Sequence, residues 1–176
     1  MRVIAVFGSS APRPGSPDYE AAQQLGWLLA EAGCAVATGG YMGTMEAVSR
    51  GAAEAGGHVI GVTSSQIERY RPIGPNPWVR QVVHYETLRE RLLHLVTENE
   101  GIIVLPGGIG TLSEMTLAWS FLQVGEMTPR PLVLLGELWR QTALAFIRPE
   151  FVPQKYAALL QFAATPAEAV ACLWAR

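Results

Sequence analysis

The segment Leu105–Glu114 carries the residue types and spacing best suited to chemistry. In it an apolar run ends in a glycine-rich turn and a helical pattern follows. The glycines of the turn are Gly107, Gly108 and Gly110. Glycines let another molecule approach the backbone closely, and backbone N–H groups at the start of a following helix favour an anion such as a phosphate. The Thr111 hydroxyl adds a donor and Glu114 places an acid in the first predicted helical turn. This pattern predicts chemistry on a phosphorylated small molecule.

Two earlier turns follow predicted strands in the same way. Their candidate binding residues are Gly8, Ser9, Gly39 and Gly40. In a parallel sheet the carboxyl ends of the strands lie at one edge, where ligands of such sheets bind. We therefore expect these turns to lie close to the turn at 107–110.

Short apolar runs alternate with amphipathic stretches along the whole chain. The predicted strands are 3–7, 34–38, 58–62, 81–84, 101–105, 132–135 and 159–162. The predicted helices are 17–32, 44–55, 87–99, 111–124, 138–147 and one that begins at 165–166. This alternation predicts an α/β fold, a three-layer, Rossmann-like, doubly wound parallel sheet with helices on both faces.

Residues 63–78 contain three prolines and no apolar periodicity, which predicts a loop. Long ordered loops often serve as binding lids. Arg69, Arg71 and Arg80 flank the proline-rich part of this segment and either clamp a phosphate or lie solvated.

Composition limits the classes of function. With 176 residues, 49% hydrophobic and 16% charged, we expect a single domain over 1–176. A net charge of -2 without a basic run gives no sign of a nucleic-acid partner, and the low charge favours a homo-oligomer. No apolar run reaches the length of a membrane span. Cys34 and Cys172 are expected to be free thiols in a reducing cytoplasm.

The sequence lacks the motifs of several common nucleotide-binding and metal-binding sites. The first turn has no G-x-G-x-x-G, and the only Asp of the chain is Asp18, so an NAD site is not predicted. No P-loop motif occurs, and His58, His84 and His94 are too dispersed to suggest a zinc site. We expect neither a cofactor nor a metal.

Pro-Gly-Gly-x-Gly-Thr-x-x-Glu, at 106–114, is a family signature. The chain resembles the LONELY GUY (LOG) family of cytokinin riboside 5'-monophosphate phosphoribohydrolases, formerly labelled "lysine decarboxylase-like", over almost its whole length. Residues 6–10, 39–46, 59–62 and 123–125 match further family segments. The resemblance extends to molybdenum-cofactor carriers and to uncharacterised bacterial members, and it implies a homodimer.

The resemblance implies an enzyme that hydrolyses the N-glycosidic bond of a nucleoside 5'-monophosphate, with Arg91 and Glu114 as catalytic residues. Arg91 stands fifteen positions before the signature proline, where the family has an arginine. Arg89 and Leu92 replace the His and Lys that flank it in the family, and Glu46 replaces a small residue. Because of these departures, the resemblance does not specify which nucleobase the substrate carries. These departures also motivate a second hypothesis, a nucleotide-binding or molybdenum-cofactor carrier protein without catalysis.

The roles of the two catalytic candidates have alternatives. Glu114 is expected to stabilise an oxocarbenium-like transition state and to orient or deprotonate water. However, Thr111-Leu112-Ser113-Glu114 also matches a capping box. Arg91 is expected to contact ribose hydroxyls, the phosphate or Glu114, although on its own it matches a solvated helix residue. A decarboxylase using pyridoxal phosphate is not predicted, because the only lysine, Lys155, is remote from every glycine turn.

Overall fold

The computed structural model describes residues 1–175 and contains a seven-stranded, fully parallel sheet of order β4-β3-β2-β1-β5-β6-β7. The strands are β1 (Val3–Phe7), β2 (Ala35–Thr38), β3 (Val59–Ser64), β4 (Gln81–Tyr85), β5 (Gly101–Val104), β6 (Leu132–Leu135) and β7 (Leu160–Ala163). The helices are α1 (Pro17–Glu31), α2 (Thr44–Glu54), α3 (Ser65–Tyr70), α4 (Leu88–Thr97), α5 (Ile109–Val124), α6 (Glu137–Phe146), α7 (Gln154–Ala157) and α8 (Pro166–Cys172). The predicted fold class is confirmed.

The sheet separates two apolar cores, because alternate residues of a strand point to opposite faces. In β1, Ile4 and Val6 pack with α1, α2 and α8 on one face. Ala5 and Phe7 pack with α4, α5 and α6 on the other face. Both faces of the central strands are thus buried, which is why these strands read as short continuous apolar runs.

The strand order reverses between β1 and β5, which are neighbours in the sheet. The connections that leave their carboxyl ends run to opposite faces and leave a crevice between them. The turns after Phe7 and Val104 therefore border this crevice, as the sequence predicted.

The prediction of a loop over 63–78 is wrong for residues 63–70. β3 continues to Ser64, and residues 65–70 form α3. The Ser64 hydroxyl caps this helix by accepting a hydrogen bond from the Ile67 N–H. The helix is short and buries no residue, so it leaves no apolar periodicity in the sequence. The short helix α7 was also not predicted.

Among residues 1–175, no helix combines the length and the apolar character that crossing a membrane requires.

Helices α1 and α2 pack unusually closely at two glycines. A Cβ at Gly26 would overlap the carbonyl oxygen of Val48, and one at Gly51 would overlap that of Gln23. Since backbone atoms cannot rotate away, these glycines permit the close helix contact on this face of the sheet.

We expect Gly26→Ala to lower the free energy of unfolding by about 1–3 kcal/mol, because the overlap outweighs the better helix propensity of alanine. Urea denaturation followed by circular dichroism measures this change. Gly74→Ala is the matched control and should cost nothing, since a Cβ there meets no atom within 4 Å. A Gly26→Ala protein as stable as the wild type would contradict the packing argument.

Candidate active site

A cavity of about 580 Å³ opens at the carboxyl edge of the sheet, above β1, β2 and β5. It brings together most of the predicted site residues: Gly8, Ser9, Gly39, Arg91, Gly108, Gly110, Thr111 and Glu114. Its volume is in the range of ordinary small-molecule sites.

The amino terminus of α5 forms one part of the cavity wall. Gly108 is the N-cap residue in an extended conformation, and no side chain caps the helix. The N–H groups of a first helical turn have no intrahelical acceptor, and the helix dipole adds a partial positive charge there. Gly108, Ile109 and Gly110 are at least partly exposed, so this end of α5 is accessible to an anion.

The capping-box alternative for Thr111 and Glu114 is wrong. The helix begins at Ile109, two residues earlier than predicted, so Glu114 lies in the second turn rather than the first. Thr111 is already inside the helix and is buried. The Glu114 carboxylate is directed at Arg91 instead.

Arg91 is a buried arginine on α4, with 6% of its surface exposed. Its Nε donates a hydrogen bond to the carbonyl oxygen of Val62 at 2.7 Å, and its Nη2 donates to that of Gly39 at 3.2 Å. The remaining Nη1 lies 3.7 Å from Oε1 of Glu114. Arg91 is therefore not a solvated helix residue, and of its three predicted contacts the structure contains the one to Glu114.

Burial and charge oppose each other at Glu114. Removal from water raises the pKa of this carboxyl, and the Arg91 guanidinium lowers it, with a net pKa of about 7. Burial likewise lowers the pKa of Arg91, which Glu114 partly offsets. A carboxyl whose pKa lies near neutrality is a characteristic feature of a functional site.

The glycine turns allow these side chains to approach the backbone. A Cβ at Gly39 would overlap the Arg91 guanidinium and the sulfur of Met45, so only glycine leaves room for the Arg91 contact. A Cβ at Gly8 would overlap the Thr44 hydroxyl. That hydroxyl donates to the carbonyl oxygen of Ser9 at 3.1 Å and ties the first turn to α2.

Two predicted binding residues do not line the cavity. Gly107 packs against the Thr111 side chain, which leaves no room for a Cβ. Gly40 has a φ of 78°, which favours glycine, and its carbonyl oxygen accepts hydrogen bonds from Asn76. Both glycines therefore allow the backbone conformation and packing of their turns without lining the cavity.

Eleven further lining residues were not among the predicted site residues. Four of them, Val6, Phe7, Ser10 and Ile109, adjoin predicted ones, and the other seven are Tyr41, Met42, Met45, Ile67, Tyr70, Arg71 and Ile73. The last four belong to α3 and the residues just after it. There were two signals in the sequence: the length of the 63–78 segment suggested a lid, and Arg71 was one of three arginines expected either to clamp a phosphate or to lie solvated. Neither signal indicated which residues face the cavity.

Glu46 has a structural role. It lies in the first turn of α2, and it accepts a hydrogen bond from the Tyr19 hydroxyl at 3.2 Å. It does not line the cavity. A residue at this position can therefore differ from the family pattern without contact to a ligand.

Fold and cavity together define a Rossmann-like α/β protein whose cavity contains an uncapped helix amino terminus and a largely buried acid, Glu114. The comparisons with known proteins agree. A family model described as "possible lysine decarboxylase" matches residues 45–173. A probable cytokinin riboside 5'-monophosphate phosphoribohydrolase of Oryza sativa subsp. japonica is 33% identical over 151 residues, which are 84% of this chain and 59% of the relative. The chain belongs to this LOG family.

Two other relatives show the breadth of the similarity. The pyrimidine/purine nucleotide 5'-monophosphate nucleosidase of Escherichia coli (strain K12) is 32% identical over 130 residues, 68% of this chain and 28% of that protein. The molybdenum cofactor carrier protein of Chlamydomonas reinhardtii superposes with a TM-score of 0.75 at 26% identity and covers 99% of both chains.

We expect the Glu114 carboxyl to titrate near pH 7, and Arg91→Met to raise its pKa further by removing the neighbouring positive charge. The side-chain carboxyl ¹³C shift of Glu114, followed against pH, measures both values. Arg89→Met changes an exposed arginine of the same helix and should leave the pKa unchanged. Titration of Glu114 near 4.5 in the wild type would contradict the balance described above.

Proposed function

We propose that this protein is a nucleoside 5'-monophosphate phosphoribohydrolase, which hydrolyses the N-glycosidic bond to give free base and ribose 5-phosphate. The observation that carries the proposal is the Glu114 carboxyl, held at the cavity wall beside Arg91 and one turn from the amino terminus of α5. The LOG-family relatives named as phosphoribohydrolases support it.

In the proposed reaction the phosphate binds to the N–H groups of residues 108–111 and to the Thr111 hydroxyl. The sugar lies towards Glu114, with Ser9 and the turns at Gly8 and Gly39 forming the rest of the pocket. As the C1'–N bond breaks, positive charge develops on the ribose, and the Glu114 carboxylate stabilises it. The water oxygen bonds to C1', its proton passes to Glu114, and the base leaves with the bonding electron pair and takes a proton from solvent.

Arg91 acts on Glu114 in this mechanism. Its guanidinium favours the ionised carboxyl, which is the form that can accept a proton from water. The carbonyl oxygens of Val62 and Gly39 fix its orientation, so the charge lies on one side of Glu114.

A pyridoxal phosphate enzyme, which the description of the family model implies, does not fit these residues. Such an enzyme holds its cofactor through a lysine Schiff base. The only lysine of the chain, Lys155, lies on α7 beside the Tyr156 ring and does not line the cavity. We propose that the reaction needs neither cofactor nor metal.

Binding or carriage of a nucleotide or of molybdenum cofactor is the second candidate. The observation that favours it is the match to the Chlamydomonas carrier over 99% of both chains. Such a protein would bind a monophosphate without releasing the base, and loss of the Glu114 carboxyl would leave its affinity largely intact.

We propose further that residues 1–176 act as one domain, as a homodimer in the cytoplasm, without nucleic-acid or membrane partners. Exposed apolar side chains near the end of α5 and on α6 support an association surface: Val124, Leu138, Leu144 and Phe146. Cys34 and Cys172 are free thiols, as expected in a reducing compartment.

We expect Glu114→Ala to reduce the release of adenine from AMP by about 10²-fold or more, because it removes both the charge stabilisation and the proton acceptor. Chromatography of free base against time measures the rate. Glu46→Gln is the matched control, since Glu46 is an acid near the start of α2 that lies outside the cavity. If wild-type protein releases no more base from AMP or other monophosphates than Glu114→Ala does, the hydrolase proposal fails. Tight monophosphate binding without turnover would then favour the carrier.

A further inference from the structure

Arg71 lies at the mouth of the cavity, directly after α3. Its N–H donates a hydrogen bond to the carbonyl oxygen of Ile67 at 2.8 Å, so the backbone continues from the helix. Its Nη1 donates to the hydroxyl of Ser10 at 3.1 Å. Because Arg71 and Ser10 both line the cavity, this side chain links the α3 wall to the turn after β1.

The segment that carries Arg71 is anchored at both ends. The Ser64 hydroxyl caps the start of α3. Beyond Arg71, the buried Asn76 side chain donates hydrogen bonds to the carbonyl oxygens of Gly40 and Tyr41 at 3.0 Å and 2.9 Å. Arg71 is therefore exposed but held on a backbone that is tied to the second glycine turn.

Arg71 differs from the other arginines near it in the partner of its charge. Arg91 faces Glu114, and Arg69 forms a 2.8 Å ion pair with Glu86. Within residues 1–175 no carboxylate lies within 4.0 Å of the Arg71 guanidinium, whose side-chain partner is the neutral Ser10 hydroxyl. The charged residues of the cavity wall are Arg71, Arg91 and Glu114, so with Glu114 ionised the wall carries one uncompensated positive charge.

We propose that Arg71 binds the 5'-phosphate of the substrate and so distinguishes nucleoside monophosphates from nucleosides. A phosphate monoester carries nearly two negative charges at neutral pH. The Arg91–Glu114 pair offers it no net charge, and the amino terminus of α5 supplies about half an elementary charge. A guanidinium matches phosphate with two parallel hydrogen bonds, which are stronger than a bond to a neutral hydroxyl.

The inference rests on the proposed function for the identity of the ligand, but its test uses a ligand that cannot be hydrolysed at a glycosidic nitrogen. The probe is ribose 5-phosphate, with the dissociation constant measured by titration calorimetry. We expect Arg71→Gln to weaken binding by about 10- to 100-fold, the effect of losing a hydrogen-bonded charge. Arg71→Lys should retain part of the affinity. Arg69→Gln, two residues earlier in α3, is the matched control and should bind as the wild type does.

The outcomes separate this inference from the hydrolase proposal. Three results would each overturn the role of Arg71. They are unchanged affinity in Arg71→Gln, equal weakening in Arg69→Gln, and no binding of ribose 5-phosphate by the wild type. Arg71-dependent binding without hydrolysis of AMP would support Arg71 and contradict the hydrolase. Hydrolysis of AMP with an unchanged KM in Arg71→Gln would support the hydrolase and contradict Arg71.

Discussion

The ion pair between Arg91 and Glu114 makes the strictest demand on the structure around the cavity. Two charges removed from water are costly unless they meet each other and their other hydrogen-bonding groups find partners. Arg91 meets this demand through the carbonyl oxygens of Val62 and Gly39. The pair consequently requires β3, the turn after β2, α4 and α5 to keep fixed relative positions, and the parallel sheet provides them.

The same arrangement explains how an acid and an anion site can share one cavity. Removal from water raises the pKa of Glu114 and Arg91 limits the rise, so the pKa lies at about 7, where a carboxyl can both carry charge and exchange a proton at neutral pH. The amino terminus of α5 attracts an anion by its dipole and N–H groups, without a second buried charge. A phosphorylated ligand can therefore bind close to Glu114 while its phosphate contacts α5 and, as we propose, Arg71.

Much of this structure could be predicted from local patterns. The central strands are short apolar runs, and β1 and β2 are followed directly by glycine. Their alternation with helical patterns predicted the parallel sheet and the edge where the turns meet. Arg91 was predicted only through the family resemblance, because an arginine in a charged helical stretch gives no local sign of burial.

Other features could not be predicted, for identifiable reasons. Thr111 and Glu114 fit both a capping box and a catalytic site, and the structure decides between them because the helix begins at Ile109 with Gly108 as its N-cap residue. Helix α3 buries no residue, so it has no periodicity to detect. Arg71 lines the cavity through its contact with Ser10, which is distant in sequence and leaves no local signal.

The central claim is that Glu114 acts directly on the glycosidic carbon of a bound monophosphate. A crystal structure of the Glu114→Gln variant with AMP tests it most directly, because the near-isosteric amide preserves the cavity. The account predicts the phosphate on the amino terminus of α5, and C1' facing the substituted amide, in direct contact or with one water between them. A phosphate bound elsewhere, or a glycosidic bond directed away from that amide, would contradict it.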